Sequence, residues 1–360
     1  MITSRTAIFV RSGLPMEIVE VPVPPLRSHE ILVRVEMVTL CRSDLATYFG
    51  KRIEPSPTIL GHEVVGRIAD FGSEAARIDL RGGSLHVGDR ITWGIFASDP
   101  HSDMAQRGMP QKGEGLVKYG HEQLAANHTL HGGLAQYMIL RRHTPVIKID
   151  ENVPVQVAAI VNCAVATVAG AFRTAGPVHG KKILISGAGM LGLMACAMAR
   201  SLGASHVGAM DIDSGRLEIA RRFGADGTVL VPRDGSGAQS IELPGIDSVD
   251  AVIETSGAAW SMERTIEKLG IGGVAVWIGA VHPDRFVSLN AERIVRKLIT
   301  IRGLHNYNTD DFRAAVEFIE RHHGELPVRE LVDDPFGLDQ IDQAFEHAKD
   351  CNPFRVGIHL

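Results

Sequence analysis

The run "KKILISGAGMLG", Lys181 to Gly192, constrains the fold more than any other part of this 360-residue chain. A β-branched stretch ends in G-x-G-x-x-G, which opens directly into the helix-like "MLGLMACAMARSLG". Strand, glycine turn and helix in that order are the setting a dinucleotide fingerprint requires. Gly187 permits the tight turn, Gly189 lets the backbone approach a pyrophosphate, and Gly192 lets helix and strand pack closely. The free N–H groups at the helix start, around Met190 and Leu191, face the phosphates with the positive end of the helix dipole. Asp211 ends the next strand-like run, about twenty residues beyond Gly192, where a carboxylate meets the adenosine ribose. A carboxylate there repels a 2′-phosphate, so NAD is favoured over NADP. Arg216 nearby could contact the adenosine end or tolerate that phosphate.

The fingerprint sits late, behind a segment of different character. Before Val153 the chain reads as β-rich, with "ILVRVEMV" and "HEVVGRIADF" punctuated by Gly and Pro and little sustained helical periodicity. After it, "VQVAAIVNCAVATVAGAFRTAG" reads as a buried helix, and strand and helix signals then alternate to about Ile301. That alternation predicts a doubly wound parallel sheet. The fold class is therefore α/β: a β-rich domain over 1–155 and a Rossmann domain over 156–297, followed by a tail with two helix signals and a last strand. The stretch 97–129 reads as a long polar loop.

Net charge of −5, 22% charged and 45% hydrophobic residues describe an ordinary globular protein and give no reason to expect nucleic acid as a partner. The apolar run from Ala158 to Phe172 is shorter than a membrane span. The N-terminal "AIFV" is too short for a signal-peptide core. Cys41, Cys163, Cys196 and Cys351 are scattered without framework spacing, which suits a reducing compartment. A cytoplasmic location is expected.

The densest chemistry lies in "LCRSD", where Cys41, Arg42, Ser43 and Asp44 end a strand-like run. His62 and Glu63 follow in "GHE", and Cys163 stands far downstream. Two thiolates and an imidazole would supply the three protein ligands of a catalytic zinc site. Spacing alone does not bring them together, and Cys163 could equally be a small buried apolar residue. The pieces "CRSD", "GHEVVG", "VGDRI", "GGLAQY", "NCAVAT", "GAGMLG" and "MDID" stand in the order and near the spacing of the zinc-containing medium-chain alcohol dehydrogenases, which the chain resembles over nearly its full length. The stretches "QKGEGLVKYGHE" and "VNCAVATV" also resemble, locally, a branch associated with phosphonate breakdown.

The resemblance, which extends to "LHNYN" from Leu304, implies a GroES-like catalytic domain over 1–155 completed by 298–360, and one catalytic zinc held by Cys41, His62 and Cys163, with Glu63 as alternate ligand and Asp44 orienting His62. Arg42 would contact the cofactor pyrophosphate, Thr167 would lie under the nicotinamide, and Ser43 would take the alcohol proton. The reaction implied is hydride transfer between a small alcohol, or its aldehyde or ketone, and NAD, by a homodimer or homotetramer. Ala46 stands where many relatives carry the histidine that ends the proton relay, with Tyr48 nearby in sequence. The family's structural zinc site, C-x2-C-x2-C-x7-C, falls on Asp99, Ser102, Ala105 and Gly113, so that site is expected to be lost. His101, His121, His128 and His131 in and just beyond that lobe read as solvated. Trp93, Tyr48 and His305 are candidates for the substrate pocket. Two other readings stand beside this one: a zinc-free NAD(P)H reductase of the same superfamily, and a nucleotide-binding protein without turnover.

Overall fold

The computed structural model describes residues 2–125, 129–233, 242–243, 246–281 and 285–360. His128 and His282 lie outside them. The chain divides into two compact units: residues 1–163, 308–323 and 328–360 in one, and 164–307 with 324–327 in the other.

In the first unit a seven-stranded sheet is built around Ile31–Thr39, whose apolar, β-branched sequence is buried along most of its length. It pairs antiparallel with Glu63–Phe71, in a register that sets Thr39 opposite Glu63. On its other side it pairs with the C-terminal strand Arg355–His359, with Thr39 opposite Gly357. Three strands distant in sequence thus bring Thr39, Glu63 and Arg355 to one place.

Two elements differ from the sequence expectation. The segment Arg42–Tyr48 is a helix, too short at seven residues to show a 3.6-residue period, with half of its face buried. The stretch 97–129 is not structureless. It carries the helix Asp103–Gln106, a 3-10 turn at Pro110–Lys112 and a short antiparallel pair, Phe96–Ala97 with Val117–Lys118.

In the second unit six parallel strands run in the order Gly227–Leu230, His206–Asp211, Lys182–Ser186, Val249–Glu254, Leu269–Trp277, Thr300–Gly303. The order reverses direction between Lys182–Ser186 and Val249–Glu254. Such a switch point is where ligands bind in open α/β sheets. The predicted parallel sheet is therefore present.

Helical structure runs without a break from Val155 to Ala175, with a π-helical turn at Val161–Val165. These 21 residues are long and apolar enough to cross a membrane, which corrects the shorter run expected from sequence. Of its apolar 18-residue window, 83% is buried within the protein, as in a core helix.

Candidate metal centre and nucleotide loop

Among the described residues, one group of side chains could hold a metal ion. Cys41, His62, Glu63 and Cys163 present ligand atoms that all lie within 4.8 Å of one another. Two thiols, an imidazole and a carboxylate are the donor set zinc takes. Each is placed by local structure. Cys41 is the N-cap of the helix Arg42–Tyr48, in extended backbone. Its N–H donates to Asp44 Oδ2 at 2.9 Å. His62 and Glu63 stand where the chain enters the strand Glu63–Phe71. Cys163 lies on the π-helical turn, a distortion that recurs at functional sites.

The surrounding hydrogen bonds fix the ligands. Asp44 is fully buried, and its Oδ1 lies 3.3 Å from His62 Nδ1. The same oxygen accepts the Gly61 N–H at 3.2 Å. Burial works against a proton on His62, but Asp44 outweighs it and holds the imidazole well above its usual range. With Nδ1 turned to a carboxylate, Nε2 is left as the ligand atom. Asn162, beside Cys163, donates to the carbonyls of His62 and Trp93 at 3.0 and 2.8 Å. Its Oδ1 accepts the Val64 N–H at 3.3 Å. This amide ties the Cys163 turn to the His62 strand. It is a positioning role that only the fold reveals.

Sequence reasoning also missed Arg355. Its Nε and Nη2 donate to both oxygens of Glu63, at 2.6 and 2.8 Å, and Thr39 Oγ1 donates to Glu63 Oε2 at 2.6 Å. Burial pushes the Glu63 carboxyl up against the pull of Arg355. Glu63 borders the cluster, but both its oxygens are occupied here by Arg355 and Thr39.

The two thiols respond oppositely to one another. The hydrogen bond from Cys163, then Arg355 and His62, lowers Cys41 well below the usual thiol range. The bond to Cys41, then burial, raises Cys163. Of the two thiols, Cys41 is the one held toward the thiolate form. Burial pushes Cys196, inside the helix Met190–Ser201, up to about 12. In chelator-treated native protein, iodoacetamide should label Cys41 and the exposed Cys351 and spare Cys196, with zinc protecting Cys41 alone. Peptide mass mapping reads this out. Equal labelling of Cys41 with and without zinc would remove it from the metal site.

The remaining candidates are spread more widely. Arg42 bonds the side chain of Asn352. Ser43 is half-buried in the first turn after Cys41. The Tyr48 hydroxyl donates to Asp342 at 2.6 Å, and the ring stacks on Phe345. Both contacts hold Tyr48 against the helix Ile341–Asp350. Trp93 is fully buried, and His305 is exposed. In the stretch from Asp99 to Gly113, Ser102 Oγ donates to the Asp99 carbonyl at 2.8 Å. A Cβ on Gly113 would stand 2.9 Å from that hydroxyl. Serine and backbone bonds tie the lobe together at these positions. The expectation of solvated histidines holds for His101 but not for His121 or His131, whose side chains are 8% and 2% exposed. The turns that carry them fold back onto the His62 segment.

In the second unit Gly187 has φ +91°, and a Cβ there would meet Thr255 Oγ1 at 2.8 Å. A Cβ on Gly192 would stand 1.8 Å from the Gly187 carbonyl oxygen, so only glycine lets the helix approach the loop. Gly189 caps the helix Met190–Ser201, and only Arg216 Nη1, at 3.7 Å, borders its open side. The loop is thus open on this side, with a guanidinium at its rim. Asp211 Oδ2 accepts the Ala188 N–H at 2.6 Å, which sets the carboxylate beside the loop at its strand end. Thr167 is buried on the helix Ala166–Ala175.

Comparison with known proteins agrees with both units. The family model described as "Alcohol dehydrogenase GroES-like domain" matches residues 27–151, and that described as "Zinc-binding dehydrogenase" matches 191–321. The L-threonine 3-dehydrogenase of Deinococcus deserti is 28% identical, over 93% of this chain and 92% of its own. The D-xylulose reductase A of Aspergillus oryzae is also 28% identical, over 96% and 94%. A solved alcohol dehydrogenase from Thermotoga maritima matches with a TM-score of 0.91 at 25% identity, covering both chains entirely. Two family models that together span most of the sequence, and a metal cluster of the matching donor chemistry, place this chain in the family of zinc-containing medium-chain alcohol dehydrogenases.

Proposed function

We propose that the protein is a zinc-dependent oxidoreductase that moves a hydride between a small alcohol, or its aldehyde or ketone, and NAD. The observation that carries this reading is the convergence of Cys41, His62 and Cys163, from three separate elements, within one ligand distance. A zinc-free reductase would have no use for that convergence. When bound, zinc supplies a Lewis acid that acidifies an alcohol hydroxyl, and the nicotinamide supplies the hydride acceptor.

The chain's own groups do the rest. Cys41, His62 and Cys163 would hold the metal, and Asp44 keeps the His62 proton on Nδ1. Among the described residues, Glu63 is the further donor that could enter the site, on release from Arg355. Ser43, two residues from Cys41, takes the alcohol proton at Oγ and releases it to water or a cofactor hydroxyl, since Ala46 cannot carry it. In the second unit the cradle of Gly187, Gly189 and Gly192, with the N–H groups of Met190 and Leu191, binds the pyrophosphate. Asp211 would take the ribose hydroxyls of NAD, Thr167 would support its nicotinamide, and Arg42 and Arg216 would meet its phosphates. We take the active form as a homodimer or homotetramer. The edge strand Thr300–Gly303, paired on one side only among the described residues, together with exposed Val295 and Leu298, supports self-association of this unit.

NADH formation from a panel of primary and secondary alcohols, abolished by a chelator and restored by zinc, tests the reading. Full activity in metal-free protein would favour the reductase reading. Replacing Asp211 with Ala should lower the NAD-over-NADP preference at least about tenfold, the worth of one charge-assisted hydrogen bond. An unchanged ratio of kcat/KM values would show that Asp211 does not read the ribose.

A further inference from the structure

Asn162 stands where two strands would otherwise close on each other. The strands Glu63–Phe71 and Arg90–Trp93 pair antiparallel, with Arg67 opposite Arg90, Gly66 opposite Ile91 and Val65 opposite Thr92. There the ladder stops. The Ile68 N–H donates to the Asp89 carbonyl, so the alternate residues Gly66 and Val64 turn their N–H and C=O groups toward the same neighbour. The next rung would therefore join the Val64 N–H to the Trp93 carbonyl. The side chain of Asn162 fills that place. Its Nδ2 donates to the Trp93 carbonyl at 2.8 Å, and its Oδ1 accepts the Val64 N–H at 3.3 Å. A primary amide offers an acceptor and a donor as a peptide group does. It serves both strand edges while holding them apart.

The same Nδ2 donates to the His62 carbonyl at 3.0 Å. Asn162 is fully buried, so without the amide these backbone groups would lose a partner and gain no water. Cys163 is the next residue, on the π-helical turn Val161–Val165. Asp44 fixes the ring of His62, and Asn162 fixes its backbone. One amide thus spans two of the ligand residues, whose donor atoms lie within 4.8 Å of each other. Once the amide is gone, Val64 and Trp93 can meet directly, which closes the gap and releases the Cys163 turn from it.

We propose that Asn162 is a positioning residue of the metal centre: wedged into the strand pair, it sets the spacing of Cys163 from His62 and with it the affinity for the metal. This rests on the metal reading above. The effect passes through the backbone of the ligand residues, and Asn162 itself gives the ion no donor atom.

The test is a titration of zinc in competition with a chromophoric chelator, on full-length protein at a temperature where every variant is folded. Asn162→Ala removes both the wedge and its bonds, and Asn162→Leu keeps the bulk and removes the bonds. Both should bind zinc about ten- to a hundredfold more weakly than the parent, the usual loss when a partner of a metal ligand is removed. With cobalt in place of zinc, the thiolate-to-metal absorption of the parent should weaken in both. NADH binding should not change, because the glycine loop belongs to the other compact unit. Ile68→Ala is the control for a general loss of packing, since Ile68 is buried on the same strand as Val64. Its melting temperature should fall while its zinc affinity holds. Parent affinity in either Asn162 variant, or an equal loss of affinity in Ile68→Ala, would overturn the proposal and leave the metal reading in place. A parent that binds zinc no more tightly than Cys41→Ala would instead fault the metal reading, and the proposal with it.

Discussion

Cys41→Ala should lower alcohol-dependent NAD reduction at least about a thousandfold, because loss of a metal Lewis acid removes several kcal/mol of transition-state stabilisation. The loss should appear in kcat, and the purified variant should carry little zinc. NADH binding should stay within about threefold of the parent, since the glycine cradle at Gly187–Gly192 belongs to the other compact unit. Cys163→Ala should behave alike, because the two sulfurs face one position. Activity within tenfold of the parent in either variant would remove the metal from the reaction.

The second large effect concerns stability. Arg355 and Glu63 are 3% and 0% exposed, joined by two hydrogen bonds. Arg355→Leu strands a carboxylate in the interior, which costs about 3–5 kcal/mol. At roughly 2–4 °C per kcal/mol for a domain of this size, the melting temperature should fall by about 10 °C. Adding Glu63→Leu should recover most of that loss, because a buried ion pair replaced by apolar side chains is often close to neutral. Scanning calorimetry of the single and double variants reads this directly. A single variant that melts with the parent would show that Glu63 takes up a proton at little cost and that the pair does not anchor the C-terminal strand.

What could be read from the sequence followed how local each interaction is. The nucleotide loop was legible because turn, approach and packing are set by glycines within six residues, and Gly192 against Gly187 bears out the geometry. The alternating strands and helices of the second unit were legible for the same reason. The metal ligands were not legible from spacing, since Cys163 lies far along the chain from Cys41. Family resemblance joined them. Arg355 could not be found in this way, because it meets Glu63 across 292 residues through a strand register that no local pattern encodes. Asn162 reads as one polar residue in an apolar helix until its amide is seen bridging His62 and Trp93. His121 was misread as solvated because the polar composition around it says nothing of a turn packed onto Gly61. The short helix Arg42–Tyr48 was hidden by its length, although its Cys41 N-cap with Asp44 three residues on holds two of the residues that matter most.

The central claim is that Cys41, His62 and Cys163 form one zinc site and that the Asp99–Gly113 lobe holds none. Elemental mass spectrometry on protein purified without added metal or chelator tests it most directly. The account predicts one zinc per chain, falling to near zero in Cys41→Ala. No zinc alongside intact NAD-linked alcohol oxidation would contradict it.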